Sequence, residues 1–219
     1  MSASSHRRAV PPHASRPSRS NLVALKAQPR KPGEASLFWY DPQLQSDAVK
    51  VLPGEYFVHA ENILILTTLG SCIAACLWDR ERGIGGLNHF MLPEGDDDSG
   101  RYGSFAMELL INEMLRRGAA RASLEAKVFG GGQVVAGMDS MNIGERNTRF
   151  VLDYLRTERI PVLSQDVGGV CARKLCFHPA SGKAMLKRLT ATHASTLAAQ
   201  ERAAARRAAA ATVGSVDLF

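Results

Sequence analysis

The stretch from Ile63 to Trp78 constrains the fold more than any other part of the chain. Ile63 to Leu69 is a nearly continuous apolar run of strand length, rich in β-branched residues. Gly70-Ser71 interrupts it, and Cys72 to Trp78 resumes it. β-branched side chains are stiff and pack well on a pleated surface, so the pattern predicts two strands separated by a break. Gly83 to Gly86 marks the next turn, and Leu87 to Leu92 is expected as a third strand, stopped by Pro93. Strands spaced this closely point to hairpins. Upstream, order is expected to begin near Phe38-Trp39-Tyr40, and Val51 to Val58 is expected to form an earlier strand.

Helical periodicity takes over after the acidic, Gly-containing segment from Glu94 to Gly103. Ser104 is expected to cap a helix that carries Met107, Ile111, Met114 and Leu115 on one face and stops at Gly118. Leu124 to Phe129 predicts a short strand running into Gly130-Gly131-Gly132. Asn142 and Glu145 form a capping-box-like pair that opens a second helix, with Ile143, Phe150, Val151, Tyr154 and Leu155 as its apolar stripe. Past Pro161, Val162 to Asp166 is expected to pair with Arg173 to Phe177 across Gly168-Gly169. Ser181-Gly182 then turns into a last strand or helix start near Met185. Several strands around two main helices, with no internal repeat, predict a single α+β domain.

The formal charge of +6 raises a nucleic-acid reading, and its location answers it. Residues 1–34 hold seven Lys/Arg against one acid, and residues 183–219 hold six against two. That leaves 14 basic and 18 acidic side chains in residues 35–182, a net charge of −4 for the core. A folded nucleic-acid reader carries its basic face on the domain itself, so no specific nucleic acid is expected as a partner. Residues 1–34 have too few large apolar side chains to offset chain entropy and are expected as a disordered basic leader. The domain is expected over 35–188, and 189–219 as an Ala/Arg-rich helical or disordered tail. No stretch approaches the ~18 continuous apolar residues of a membrane span, and no apolar signal region opens the chain. No membrane insertion and a cytoplasmic location are therefore expected. Thiols normally stay reduced there, so the four cysteines, Cys72, Cys76, Cys171 and Cys176, call for another role than disulfides.

The chemistry centres on Thr67-Thr68-Leu69-Gly70-Ser71-Cys72 and on His89 within Gly86-Leu87-Asn88-His89. Glycine permits a sharp turn, and backbone N–H groups at Gly70 and Ser71 are suited to hold an oxyanion. If the strands pair across the Gly83–Gly86 turn, thiol and imidazole can sit side by side, so that the histidine stabilises a thiolate and later protonates a leaving amine. On the residues alone, a cysteine or a histidine in an apolar strand is better explained as a core residue. A four-cysteine zinc site is the chemical rival. Its Cys-x3-Cys and Cys-x4-Cys spacings are not those of structural zinc sites, and no metal is expected. Phe129-Gly130-Gly131-Gly132-Gln133 lacks the Gly-Lys-Ser/Thr ending of a nucleotide loop and predicts a tight strand exit near the site.

Taken together, Leu69-Gly70-Ser71-Cys72, Asp79, Gly85-Gly86 and Asn88-His89-x-Met91-Leu92-Pro93 resemble the signature of the CheD family of chemoreceptor glutamine deamidases. The likeness continues through Lys127-Val128-Phe129-Gly130-Gly131, Asn142-Ile143-Gly144-x-x-Asn147, Asp166-Val167-Gly168-Gly169 and Arg173-Lys174, and covers approximately residues 50–188. The resemblance implies a layered α/β sandwich of mixed and antiparallel strands. It implies a cysteine hydrolase that converts receptor glutamines to glutamates with no cofactor. Cys72 falls on the family's nucleophile and His89 on its histidine. Gly70, Ser71 and Asn88 are candidate substrate-binding residues. The implied partners are the cytoplasmic domains of chemotaxis receptors and, for some members, a CheC-type phosphatase. One departure stands out. The family's third catalytic residue is a threonine six positions before the cysteine, where this chain has Leu66; Thr67 and Thr68 are both candidates, with Thr67 favoured. Two other readings remain: a cysteine amidohydrolase or transglutaminase-like enzyme acting on another protein, and a non-catalytic chemotaxis adaptor.

Overall fold

The break at Gly70-Ser71 carries the chain from one sheet into another. The computed structural model, which describes residues 19–92, 102–133 and 143–189, contains two five-stranded sheets. The first runs, in order across the sheet, β1 (Leu37–Asp41), β2 (Ser46–Lys50), β4 (Leu64–Leu69), β9 (Arg173–His178) and β10 (Lys183–Arg188). The second runs β3 (Tyr56–His59), β6 (Ile84–Asn88), β5 (Ile73–Asp79), β7 (Leu124–Gly130) and β8 (Val162–Val167). Pairing is antiparallel except for β2 with β4 and β7 with β8, so the sheets are mixed. Among the described residues three α-helices complete the order, α1 (Arg19–Ala27), α2 (Gly103–Arg116) and α3 (Ile143–Thr157), with a short 3-10 turn at Arg121–Ser123. This is the α+β layered sandwich that the sequence predicts.

The uninterrupted apolar run in β5 has a simple cause: the strand is covered on both faces. Ile73, Ala75 and Leu77 meet α2 and α3 through Met107, Leu110, Met114, Val151 and Leu155. Cys72, Ala74 and Cys76 point the other way, into the layer between the sheets, with Ile65, Leu69, Leu87, Phe129, Leu175 and Phe177. Side chains alternate along a strand, so a strand buried on both sides loses the polar half of its pattern.

Several local expectations are corrected. Val51 to Val58 is not one strand, because β2 ends at Lys50 and a turn at Pro53-Gly54 precedes β3. The third strand is Ile84–Asn88, earlier than Leu87–Leu92. Ser104 does not cap α2; the helix starts at Gly103 behind Tyr102, which makes no side-chain cap bond. β8 and β9 do not form a hairpin. α3 returns the chain beside β7, so β8 pairs in parallel with β7, and Gly168 and Gly169, at φ of 72° and 70°, turn it over to the first sheet. Residues 19–34, expected within the disordered leader, carry α1. Its Leu25 is buried in the inter-sheet layer, and Gly33 and Ala35 exchange backbone hydrogen bonds with Tyr56. The rest of the leader, the acidic loop around Asp96-Asp97-Asp98, Asn142 and the tail from residue 190 lie outside the described residues. Among the described residues, no helix is long and apolar enough to cross a membrane.

Candidate functional site

The pairing of β5 with β6 decides where the thiol and the imidazole point. The two strands form a hairpin across Gly83, and their register continues to Ile73 and Phe90, which exchange two backbone hydrogen bonds of 3.0 Å. Residues directly opposite each other share a face. Ile73 and Phe90 face the helices, so Cys72 and His89, each one step away, face the layer between the sheets as diagonal neighbours. The strands thus pair across the turn, with the two side chains on one face.

The first sheet supplies the third residue. Thr67 lies on β4 opposite Leu175, on the inner face, whereas Leu66 packs with Leu64 and Cys176 on the outer one. The Thr67 hydroxyl donates to the Val51 carbonyl at 2.8 Å and lies 2.8 Å from His89 Nδ1. A hydroxyl has one hydrogen. With that hydrogen committed to Val51, Oγ1 accepts from Nδ1–H, which leaves the lone pair of the neutral ring on Nε2. His89 Nε2 is buried with no hydrogen-bond partner among the described residues. The main chain of His89 is also fixed, accepting from Gly54 N–H at 2.7 Å and donating to the Glu55 carbonyl at 2.9 Å. Thr68 points to the opposite face of β4, across from Lys174, and does not join the site.

Burial sets the charge state. Cys72, His89 and Thr67 are 2%, 1% and 1% exposed. Loss of solvent pushes the His89 pKa down to about 4; the Val51 carbonyl opposes this and the Lys50 ammonium adds to it. The imidazole is therefore neutral near pH 7, an acceptor at Nε2 rather than a resident cation.

The glycines at the end of β7 close around the Cys72 turn. Gly131 N–H donates to the Cys72 carbonyl at 2.8 Å, and Gly132 N–H donates to the Gly70 carbonyl at 2.7 Å. Gly130 has a φ of 112°, and a Cβ there would collide with the Cys72 carbonyl oxygen. The Gly130-Gly131-Gly132 run is thus a strand exit against which the Cys72 turn is seated. On its far side Gln133 N–H reaches the Gly169 carbonyl at 2.7 Å. Arg173 anchors that neighbouring loop through Asp166 at 2.6 Å, the Cys171 carbonyl at 3.0 Å and the Gly168 carbonyl at 2.5 Å. Three loops, 70–72, 130–133 and 168–171, therefore meet at one end of the sandwich.

Asn88, a candidate substrate-binding residue, is placed elsewhere. It is wholly buried on the helix-facing side, accepting from Ala75 N–H at 3.0 Å and donating to the Ala106 carbonyl at 3.0 Å. Its role is to tie β5 to α2. Asn147 carries no predicted role, yet its buried amide donates to the Ser71 carbonyl at 3.1 Å and the Met91 carbonyl at 2.8 Å. The available signal was an amide in the apolar stripe of α3, one turn before Val151. None of the four cysteines is in a disulfide. Burial pushes the Cys76 and Cys176 thiols up, which makes them poor nucleophiles. Among the described residues, no group of three or more His, Cys, Asp or Glu is arranged to hold a metal ion.

The sequence is 62% identical over 204 residues to a protein of Albidiferax ferrireducens named probable chemoreceptor glutamine deamidase CheD 1, covering 91% of this chain and 87% of the relative. The chain belongs to the CheD family. A CheD-family protein of Bordetella petrii, under the same deamidase name, is 56% identical and matches 83% of this chain and 85% of its own. Another from Methylobacillus flagellatus is 45% identical, covering 88% of this chain and all of the relative. The CheD family profile, described as CheD chemotactic sensory transduction, matches residues 91–188, from just past His89 to the end of β10.

Proposed function

We propose that this CheD-family protein hydrolyses glutamine side chains of chemoreceptors to glutamate, with Cys72 as nucleophile, His89 as acid and base, and Thr67 as the group that orients His89. The relatives' shared name supports the substrate class. The observation that carries the chemistry is the Thr67–His89 hydrogen bond, because it leaves the Nε2 lone pair available on the face that Cys72 shares.

In the proposed sequence, His89 Nε2 takes the Cys72 proton and the thiolate attacks the glutamine Cδ, converting the amide carbonyl to a tetrahedral oxyanion held by backbone donors of the 70–72 turn. The imidazolium then gives its proton to the amide nitrogen, the C–N bond breaks and ammonia leaves. Water, deprotonated by His89, attacks the resulting thioester. Collapse releases glutamate, and the thiol recovers its proton. Thr67 contributes as the third member of a triad does, by fixing tautomer and ring orientation. Because the three side chains are almost wholly covered, the substrate side chain reaches the thiol only when neighbouring groups move aside. In this reading the protein works in the cytoplasm on the receptors' cytoplasmic domains, and a CheC-type phosphatase is a further candidate partner.

The deciding experiment incubates wild type and Cys72→Ala with receptor cytoplasmic fragments, reading released ammonia and glutamine-to-glutamate conversion by peptide mass. Activity retained in Cys72→Ala refutes the assignment. Conversion confined to cross-linked products in the presence of amines would favour a transglutaminase-like reaction instead.

A further inference from the structure

The β5–β6 ladder ends one residue short of the nucleophile. Beyond the Ile73–Phe90 pair the strands part: the Leu92 carbonyl accepts from Gly103 N–H at 2.7 Å instead of continuing the ladder, while the Cys72 carbonyl stays on the β7 side with Gly131 N–H. At that gap stands Asn147. Its Nδ2 lies 3.1 Å from the Ser71 carbonyl and 2.8 Å from the Met91 carbonyl. An amide nitrogen has two hydrogens, so each strand receives one. The clip replaces the missing rung, on one side at the residue before Cys72 and on the other at the residue opposite it.

Taking Cys72 as the nucleophile, as proposed above, we infer that Asn147 is the positioning residue of the thiol: it fixes the Cys72 backbone relative to the strand that carries His89. The other end of the amide supports this. Asn147 is wholly buried, and its Oδ1 has no hydrogen-bond partner among the described residues. A buried acceptor left unpaired costs about 1–3 kcal/mol, so an amide serving packing alone would be a poor choice on this helix face. Its neighbours one and two turns on, Val151 and Leu155, are wholly buried aliphatics. Asn147 touches no reacting atom in this scheme. It acts through the backbone at Ser71 and Met91.

The test compares wild type, Asn147→Ala, Asn147→Asp and Cys72→Ala on a receptor cytoplasmic fragment. It measures kcat and KM separately, the rate of Cys72 alkylation by iodoacetamide against pH, and the melting curve. Asn147→Asp keeps the side-chain shape but presents at most one donor to the two carbonyls, and none when ionised. Both Asn147 variants are expected to keep KM within about two-fold while kcat falls roughly 10- to 100-fold, the scale of a displacement of about 1 Å at a reacting group. Their alkylation profiles should move to higher pH. Wild-type kcat with an unshifted alkylation profile overturns the inference, as does a loss confined to KM or matched by the unfolded fraction. If Asn147→Ala does not fold, Asn147→Ser, which retains a single donor, decides by the same two readouts. Activity surviving in Cys72→Ala removes the nucleophile assignment itself. An inactive Cys72→Ala beside fully active Asn147 variants removes only the role of Asn147.

Discussion

Replacing Thr67 by valine keeps the shape of the side chain and deletes the hydroxyl that hydrogen-bonds from one sheet to His89 on the other. Two hydrogen bonds of 2.8 Å are lost, one to the Val51 carbonyl and one from His89 Nδ1–H, at a residue only 1% exposed. Each such bond is worth about 1 kcal/mol net, and each buried partner left unpaired adds up to about 1–3 kcal/mol. The imidazole can recover part of this by turning its Nδ1–H to Val51, so a net loss of roughly 2–4 kcal/mol is expected, or about 5–15 °C in Tm for a chain of this size. The kinetic effect should be larger than any effect on binding. With no Oγ1 to fix it, the ring samples the other tautomer and other orientations, and kcat should fall roughly 10- to 100-fold with little change in KM. Thr67→Ser restores the hydroxyl and should recover most of the rate. Thr68→Val is the control: its side chain lies on the opposite face of β4, and kcat should stay within about two-fold of wild type. The assay is ammonia release from a receptor fragment below the melting range of every variant. Full activity in Thr67→Val, or a loss as large in Thr68→Val, refutes the reasoning.

Further outcomes follow from burial. His89 is held at about 4 in the folded protein against an ordinary 6.5, so between those values the unfolded chain takes up a proton that the folded one refuses. Stability should therefore fall as pH drops through that window, by roughly 3 kcal/mol at about 1.4 kcal/mol per pH unit. His59 and His178 are also shifted down, so the measurement is the difference between wild type and His89→Gln in urea midpoint against pH; superimposable curves would count against it. In native protein, alkylation near neutral pH should mark Cys72, weaken in His89→Ala and leave Cys76 untouched, since burial holds that thiol protonated; equal labelling of Cys76 contradicts the assignment. Asn88→Ala should lower stability by about 2–3 kcal/mol, because it orphans Ala75 N–H and the Ala106 carbonyl, yet leave KM for the receptor unchanged. A raised KM in folded Asn88→Ala would return that residue to the substrate site.

What could be read from the sequence divides along the line between local and non-local physics. β5 was legible because burial on both faces writes itself into consecutive apolar residues. The hairpin between β5 and β6 was legible because Gly83 supplies its turn. The Gly70-Ser71 break reads like any strand turn, and nothing local to it says that the chain changes sheets there. Partner choice was equally hidden for β8: Gly168-Gly169 looks like a hairpin connection until α3 is seen to deliver the strand parallel to β7. The Thr67/Thr68 ambiguity had the same origin. A slip of one residue exchanges the faces of a strand, and only the pairing of Thr67 with Leu175 fixes which hydroxyl looks inward. α1 was missed because composition averaged over 34 residues hides Leu22 and Leu25, one helical turn apart and both packed on the inter-sheet cluster.

The placement of Thr67 on one sheet, with Cys72 and His89 on the other, has a consequence for how this site can fail. In the proposed mechanism, neither sheet owns the reaction. The hydrogen bond that selects the histidine tautomer spans the apolar layer, so the spacing and slide of two stacked sheets become variables of the chemistry. Side chains such as Phe57 and Phe177, with no polar atom to offer, fill that layer, and in the proposed mechanism they would serve as spacers for the proton-transfer geometry. Loosening that layer would disable the site while every strand kept its own hydrogen bonds.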